Sequence, residues 1–273
     1  MHTLMDANQA GKWALVTGAS SGIGAEIAAH LATLKWNVVL VGRDQTALDA
    51  QAQRLTALGV QAHALSVDLS GKAGIERVLS FISEKNLTIE ALVNNAGFGI
   101  HANFLESDAA EEARMLDLQL AATLALTKDC LKGMLAKRAG YILNVASVYA
   151  FSPVPNQAVY AACKAFMLSF SRTLALELHG TGVGVSVLCP GITLTKFRSR
   201  AGMKDKQSAF ALTPETVAEI GVRGMLRGKF IIVPGWGNKL YTTLARCLPA
   251  GILGRFTRWF NRRRGIAGAK GTQ

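Results

Sequence analysis

Tyr160 and Lys164 stand four residues apart in Tyr160-Ala161-Ala162-Cys163-Lys164, and Ser147 lies thirteen residues before the tyrosine. Residues four apart share one face of a helix. An ammonium beside a phenol favours the phenolate, so this spacing predicts a Tyr160 pKa drawn down from about 10 toward neutral. A hydroxyl such as that of Ser147, set beside the phenol, would hold a carbonyl oxygen there. Such a trio protonates a developing alkoxide or takes the proton from an alcohol. A Tyr-x-x-x-Lys pair is by itself weak evidence, so the elements that must position it decide its meaning.

The first of these elements lies near the start of the chain. Trp13-Ala14-Leu15-Val16 is a short apolar run. Thr17-Gly18-Ala19-Ser20-Ser21-Gly22-Ile23-Gly24 follows, and then Ile27, Ala28, Leu31 and Leu34 fall at helical spacing. Strand, glycine-rich turn and helix form the setting of a dinucleotide site. Gly18 permits a tight turn, Gly22 lets the backbone approach a pyrophosphate, and Gly24 lets the helix pack on the strand. The free N–H groups of the helix start then face phosphate oxygens.

Between the two motifs, apolar runs bounded by Gly, Asn or Asp predict strands over 13–17, 37–41, 61–66, 90–93, 139–145, 183–188 and 229–233. Helical periodicity predicts helices over 22–34, 44–58, 72–84, 108–136, 157–179 and 214–227. Thr213-Pro214-Glu215 reads as N-cap, first helical residue and first-turn acid. Right-handed crossovers between such units give an α/β fold, a Rossmann-type doubly wound parallel sheet with helices on both faces.

Taken together, these motifs resemble the short-chain dehydrogenase/reductase family over about residues 12 to 235. Thr17 to Gly24 match the family's glycine motif, and Asp68-Leu69 match its acidic position beside adenine. Asn94-Asn95-Ala96-Gly97 match the end of the fourth strand. Ser147, Tyr160 and Lys164 match the catalytic trio. Pro190-Gly191, with Thr195 after it, match the turn beside the nicotinamide. The resemblance implies that Gly18, Ser20, Ser21, Gly22, Ile23, Gly24, Asp68, Leu69, Asn95, Ala96, Gly97, Pro190, Gly191 and Thr195 line the cofactor. It also implies that Tyr160 is the general acid/base, that Lys164 holds the nicotinamide ribose and that Ser147 orients the substrate oxygen. The family has an asparagine in the fourth helix that supports a proton relay; here that position is Gln119, which keeps the amide and adds a methylene. Gln119 therefore either carries the relay with shifted geometry or braces the helix.

The second strand candidate ends at Gly42-Arg43-Asp44. An acid at this place selects NAD, whereas an arginine accommodates the 2′-phosphate of NADP. Arg43 therefore predicts NADP, and Asp44 reads as a helix cap. The expected reaction is NADP-dependent hydride transfer between nicotinamide and a carbonyl or secondary alcohol. Residues 196–212 occupy the family's variable substrate lid and mix Phe197, Met203 and Phe210 with Lys196, Arg198, Arg200, Lys204 and Lys206. An apolar mouth with a basic rim suits a lipophilic ketone or a 3-oxoacyl substrate with an anionic head group. His101 reads as a loop histidine or a substrate contact.

At 273 residues and half hydrophobic, the chain has ample material for one buried sheet. Its five histidines and four cysteines show no metal-ligand spacing, so no metal is expected, and the cysteines read as buried hydrophobes of a reducing cytoplasm. The polar first residues lack a signal core, which predicts a cytoplasmic protein. The charge is lopsided. Residues 220–273 hold eleven Lys/Arg and no Asp/Glu, while residues 1–219 hold nineteen against eighteen. The catalytic domain is expected over 1–235, followed by a basic amphipathic extension over 236–273. There Leu240, Leu244, Cys247 and Leu248 form one stripe. Ile252, Leu253, Phe256, Trp259 and Phe260 form a second. These stripes suit peripheral contact with an anionic membrane, or else they dock on the protein itself. No nucleic-acid motif accompanies the basic tail, so nucleic acid is not an expected partner. Spare apolar residues on helices 108–136 and 157–179 predict a homo-oligomer, most simply a dimer. Two other function classes stay open: a non-catalytic NADP-binding sensor, and a membrane- or partner-binding protein that retains the fold.

Overall fold

The computed structural model describes residues 11–195, 197, 211–248, 251 and 253–255. Seven parallel strands form one sheet in the order β3-β2-β1-β4-β5-β6-β7. The strands are β1 (Trp13–Thr17), β2 (Asn37–Gly42), β3 (Ala62–Ser66), β4 (Ile89–Asn94), β5 (Gly140–Val145), β6 (Val183–Leu188) and β7 (Ile231–Ile232). The helices between them are α1 (Gly22–Thr33), α2 (Gln45–Thr56), α3 (Lys72–Glu84), α4 (Ala109–Leu116), α5 (Ala122–Lys137), α6 (Ala158–Glu177), α7 (Pro214–Leu226) and α8 (Trp236–Cys247). Among the described residues no helix is long and apolar enough to cross a membrane.

The sheet is apolar on both faces because helices cover both. Ala14 and Val16 of β1, with Val38 and Leu40 of β2, pack toward α1, α2 and α7. The intervening Leu15, Val39 and Val41 pack toward α3, α5 and α6. The two-residue period of a strand thus divides one continuous hydrophobic run between two cores. At about 25 cal/mol per Å² of apolar surface removed from water, these two cores are the main force holding the layers together. All strand ends that carry candidate site residues lie on one edge of the sheet, because the strands are parallel. Strand order reverses between β1 and β4, where a doubly wound sheet opens its crevice.

The elements agree with the sequence expectation, with two refinements. The helix expected over 108–136 is interrupted by a π turn at Asp117–Ala121, between α4 and α5. This extra residue per turn swings Gln119 inward, where it is buried. The last strand shrinks from 229–233 to the two residues of β7, Ile231 and Ile232, which pair with Val187 and Leu188 of β6. Asp44 caps α2 through a 3.0 Å bond accepted from the Ala47 amide, as its position predicts.

Candidate active site

The turn after β1 is a cradle that admits only glycine at two of its positions. Gly18 has φ +67°, and a Cβ on it would lie 2.7 Å from the Asn95 side-chain nitrogen. A Cβ on Gly24 would run into the Gly18 carbonyl. Ser21 caps α1 with no side-chain hydrogen bond, and the first turn carries no acid. The helix start therefore keeps donors and a positive dipole end for an anion, which fits a pyrophosphate. Thr17 and Asn95 pin the cradle to β4. The Thr17 hydroxyl accepts from the amides of Asn95 (2.9 Å) and Ala96 (3.0 Å) and donates to Val93 O (3.2 Å). The Asn95 side-chain amide donates to Thr17 O and Gly18 O. Asn95 thus acts on the loop, and its side-chain donors are spent there.

Around this cradle the other expected cofactor residues lie on the same edge. Ser20 adjoins Gly42, with its Oγ 3.4 Å from where a Cβ would be. Arg43 follows and is exposed. Asp68 accepts from the amide and hydroxyl of Ser70 at 2.9 and 2.7 Å, and Arg114 lies 3.4 Å from its other oxygen. Burial raises the Asp68 carboxyl, but the Ser70 bonds and the charges of Arg43 and Arg114 outweigh it, and the group sits below its usual range. Arg43 and Asp68 therefore share one electrostatic neighbourhood. Leu69 and Ile23 turn their side chains into the core or against it. Gly97 packs against Gln119, whose side chain would lie 3.1 Å from a Cβ there. The Pro190 carbonyl accepts from the amide of Val148, one residue past Ser147, at 3.0 Å. Thr195 lies against Gly22, 3.1 Å from a Cβ position. The turn at Pro190-Gly191 thereby meets both the glycine loop and the serine loop.

The trio converges from two elements. Ser147 follows β5 and caps the 3-10 turn Val148–Phe151, accepting from the Tyr149 amide at 3.2 Å. Tyr160 and Lys164 come from the first two turns of α6, both buried. The Lys164 ammonium donates to Val145 O at 3.0 Å and lies 5.5 Å from the centre of the Tyr160 ring. The expected drop in the Tyr160 pKa is reversed. Burial raises it first, the neighbouring Tyr149 adds to this, and a hydrogen bond with Ser147 opposes it only in part. Lys164 is itself lowered to about 8 by burial, with Cys163 and Cys189 opposing. The lysine gives one donor to a backbone carbonyl, and burial of the phenol outweighs its nearness to the ammonium.

The wall around Tyr160 is aromatic and aliphatic. Tyr149 meets its ring edge-on at 6.4 Å and Phe197 lies tilted at 5.6 Å. Phe98, Ile100 and Val159 complete the cluster with buried Met115 and Cys163. His101 is half-buried in the same loop. The lid base is fixed by pairing of Leu194 and Ile192 with Leu212. Lid residues 196 and 198–210, including Met203 and Phe210, lie outside the described residues. Gln119 donates from Nε2 to Phe98 O at 3.0 Å. Its Oε1 is buried without a partner among the described residues, and it makes no hydrogen bond to Lys164 there. It braces the loop that carries Phe98, next to the trio.

Several contributors are absent from the sequence reading. Val145 O holds Lys164, and Thr17 is a hub through its side chain. Asn238 of α8 fills the space beside Gly191 so closely that a Cβ there would collide with its amide. Tyr241 of α8 contacts the Ser152 hydroxyl, and Arg246 lies 4.8 Å over the Phe151 ring. The Thr17 role is foreshadowed by its place at the head of the glycine motif. The α8 contacts have no local signature, because they depend on where the helix returns.

Comparison with known proteins is consistent with this geometry. The family model described as short chain dehydrogenase matches residues 12–206. The ketoacyl reductase HetN of Nostoc sp. is 30% identical over 257 residues, covering 92% of this chain and 89% of the relative. A very-long-chain 3-oxoacyl-CoA reductase of Pyrenophora tritici-repentis is 32% identical over 241 residues, covering 84% of this chain and 70% of that protein. Among solved structures, a short-chain dehydrogenase from Sphingobium yanoikuyae in complex with NADPH superposes with a TM-score of 0.77 at 29% identity, over 96% of this chain and 98% of the other.

Proposed function

The chain belongs to the short-chain dehydrogenase/reductase family, and we propose that it is an NADPH-dependent reductase of lipophilic ketones or 3-oxoacyl compounds. The observation that carries this reading is the buried Tyr160 beside Ser147, set in an apolar wall. A nicotinamide, when bound, supplies the hydride that adds to the carbonyl carbon. Tyr160 donates its proton to the carbonyl oxygen as negative charge develops there, so a C=O becomes a CH–OH and the tyrosine is reprotonated from solvent. Ser147 holds the same oxygen. Lys164 holds the ribose hydroxyls, and its buried charge favours the transient phenolate. Gly18, Gly22 and Gly24 admit the pyrophosphate, Asp68 and Ala96 flank the adenosine, and Thr195 bonds the carboxamide.

NADP rather than NAD is supported by Arg43, exposed at the end of β2 and next to Ser20 and Asp68. A guanidinium pairs a phosphate bidentately. The substrate class is supported by the apolar residues facing Tyr160 and by the ketoacyl and 3-oxoacyl reductase relatives. We further propose a dimer across α4–α5 and α6, where Leu116 is exposed and the half-buried Phe166 stacks on Phe170 at 5.8 Å. Light scattering that reads a monomer at micromolar concentrations would rule that out.

The reaction is tested by NADPH and NADH oxidation over a panel of bulky ketones and 3-oxoacyl thioesters. NADPH should give the higher kcat/KM, and Arg43→Asp should reverse the preference by removing a phosphate partner and adding repulsion. No turnover on any member of the panel, or equal use of the two cofactors, would overturn the reading.

A further inference from the structure

Helix α8 has two unlike faces. Thr242 and Ala245 are buried, and Asn238 and Tyr241 reach Gly191 and Ser152. One turn round, Trp236, Leu240 and Leu244 lie at successive four-residue steps with exposures of 72%, 54% and 48%, and Leu248 continues the row at 40%. Lys239 is exposed beside Leu240, whereas Arg246, also exposed, turns to the inner side over the Phe151 ring. No acidic residue follows Glu219 anywhere in the chain, while eight Lys/Arg lie at or beyond residue 236.

We propose that the outer face of α8 docks on an anionic lipid bilayer surface. An apolar row bearing a tryptophan, with Lys239 beside it in a segment rich in Lys/Arg and lacking any acid, matches a headgroup boundary: the row enters the acyl edge while the cations meet lipid phosphates. A second copy of the chain fits less well. In a two-fold contact this face would meet itself, setting Lys239 against its own copy with no acid from residue 220 onward to pair it. Nucleic acid would engage the cations but has no use for the leucine row. Leu253, from the second expected stripe, is buried, and Ile252, Phe256, Trp259 and Phe260 lie outside the described residues, so the docking surface is drawn on α8.

The place of this face matters for the site. The inner side of α8 holds both the turn at Gly191 and the loop after Ser147. Docking therefore sets the catalytic mouth beside the lipid surface, where an acyl or other lipophilic carbonyl compound is concentrated. This consequence rests on the reaction proposed above, whereas docking itself stands without it.

Flotation of the full chain tests the docking with no need for turnover. At low salt the chain should float with phosphatidylglycerol/phosphatidylcholine vesicles and remain behind with phosphatidylcholine alone. Leu240→Glu with Leu244→Glu should weaken vesicle binding about tenfold or more, since each leucine contributes apolar burial and each new carboxylate is repelled. Elution volume and NADPH-dependent reduction of a water-soluble ketone should be unchanged. Lys239→Glu, a milder change at an exposed site, should weaken binding in the same direction. The proposal fails if the wild-type chain stays unbound to anionic vesicles, or if the double variant floats as well as wild type. It also fails if the double variant instead lowers the oligomeric state, which would assign the face to a second copy. Retention on RNA in place of vesicles would assign the cations to nucleic acid and overturn it as well.

Discussion

At the cofactor end of the cleft, Thr17 and Asn95 make five hydrogen bonds that tie the glycine loop to β4. At the substrate end, Tyr160 is bounded by rings and aliphatic side chains: Tyr149, Phe197, Phe98 and Ile100. Directional bonds hold a shape that must admit one ligand, a pyrophosphate, so few residue types will serve. Packing holds a shape that many side-chain sets can fill, so the substrate end is free to vary. The same difference governs how each end should respond to substitution.

The largest effect is expected where neither end is disturbed. Tyr160→Phe keeps the ring and its packing and removes the proton donor, so turnover should fall about 10²–10⁴-fold. NADPH affinity, read by fluorescence titration, should remain near wild type. Turnover retained by this variant would move the acid to another group. A smaller loss is expected from Thr17→Val, which is nearly isosteric. It leaves the part-buried Asn95 and Ala96 amides without their acceptor, at up to about 1–3 kcal/mol for each unsatisfied group. Both thermal stability and NADPH affinity should drop together, while the substrate KM at saturating NADPH should hardly move.

The same contrast explains what was legible in the sequence. The glycine loop, Ser147, Tyr160 and Lys164 stand out because the family's motifs hold these residue types at fixed spacing, and the fold brings them to one edge of the sheet. The alternating cores of β1 and β2 are legible because strand and helix periods differ. The π turn at Asp117–Ala121 is not, since α and π turns share composition and the choice rests on how Gln119 fits against Gly97 and Phe98. The direction of the Tyr160 shift is also hidden. Spacing puts lysine and tyrosine on one face, but the Val145 carbonyl that takes the ammonium comes from β5, and the burial that raises the phenol is a property of the assembled cluster. Likewise, an amphipathic stripe announces α8 without saying which of its residues meet Gly191 and Ser152.

Tyr241→Phe makes the finest distinction between the two ends. It removes the one hydroxyl contact between α8 and Ser152 and leaves Asn238 in place beside Gly191. A single hydrogen bond of this kind contributes about 0.5–1.5 kcal/mol net. Ser152 stands five residues after Ser147 in the segment that carries the oxygen-holding hydroxyl. The loop should therefore lose some of its registration on the substrate, with kcat/KM falling less than about tenfold. NADPH affinity should stay at the wild-type value, because no bond of the glycine loop or of Thr17 is touched. Parallel NADPH titrations of Thr17→Val and Tyr241→Phe give the decisive comparison. If Tyr241→Phe weakens the cofactor as much as Thr17→Val does, α8 couples the two ends rigidly and their separate responses do not exist. If only the substrate terms move, the bonded end and the packed end are independent, and substrate choice can be changed at the packed end without cost to the cofactor.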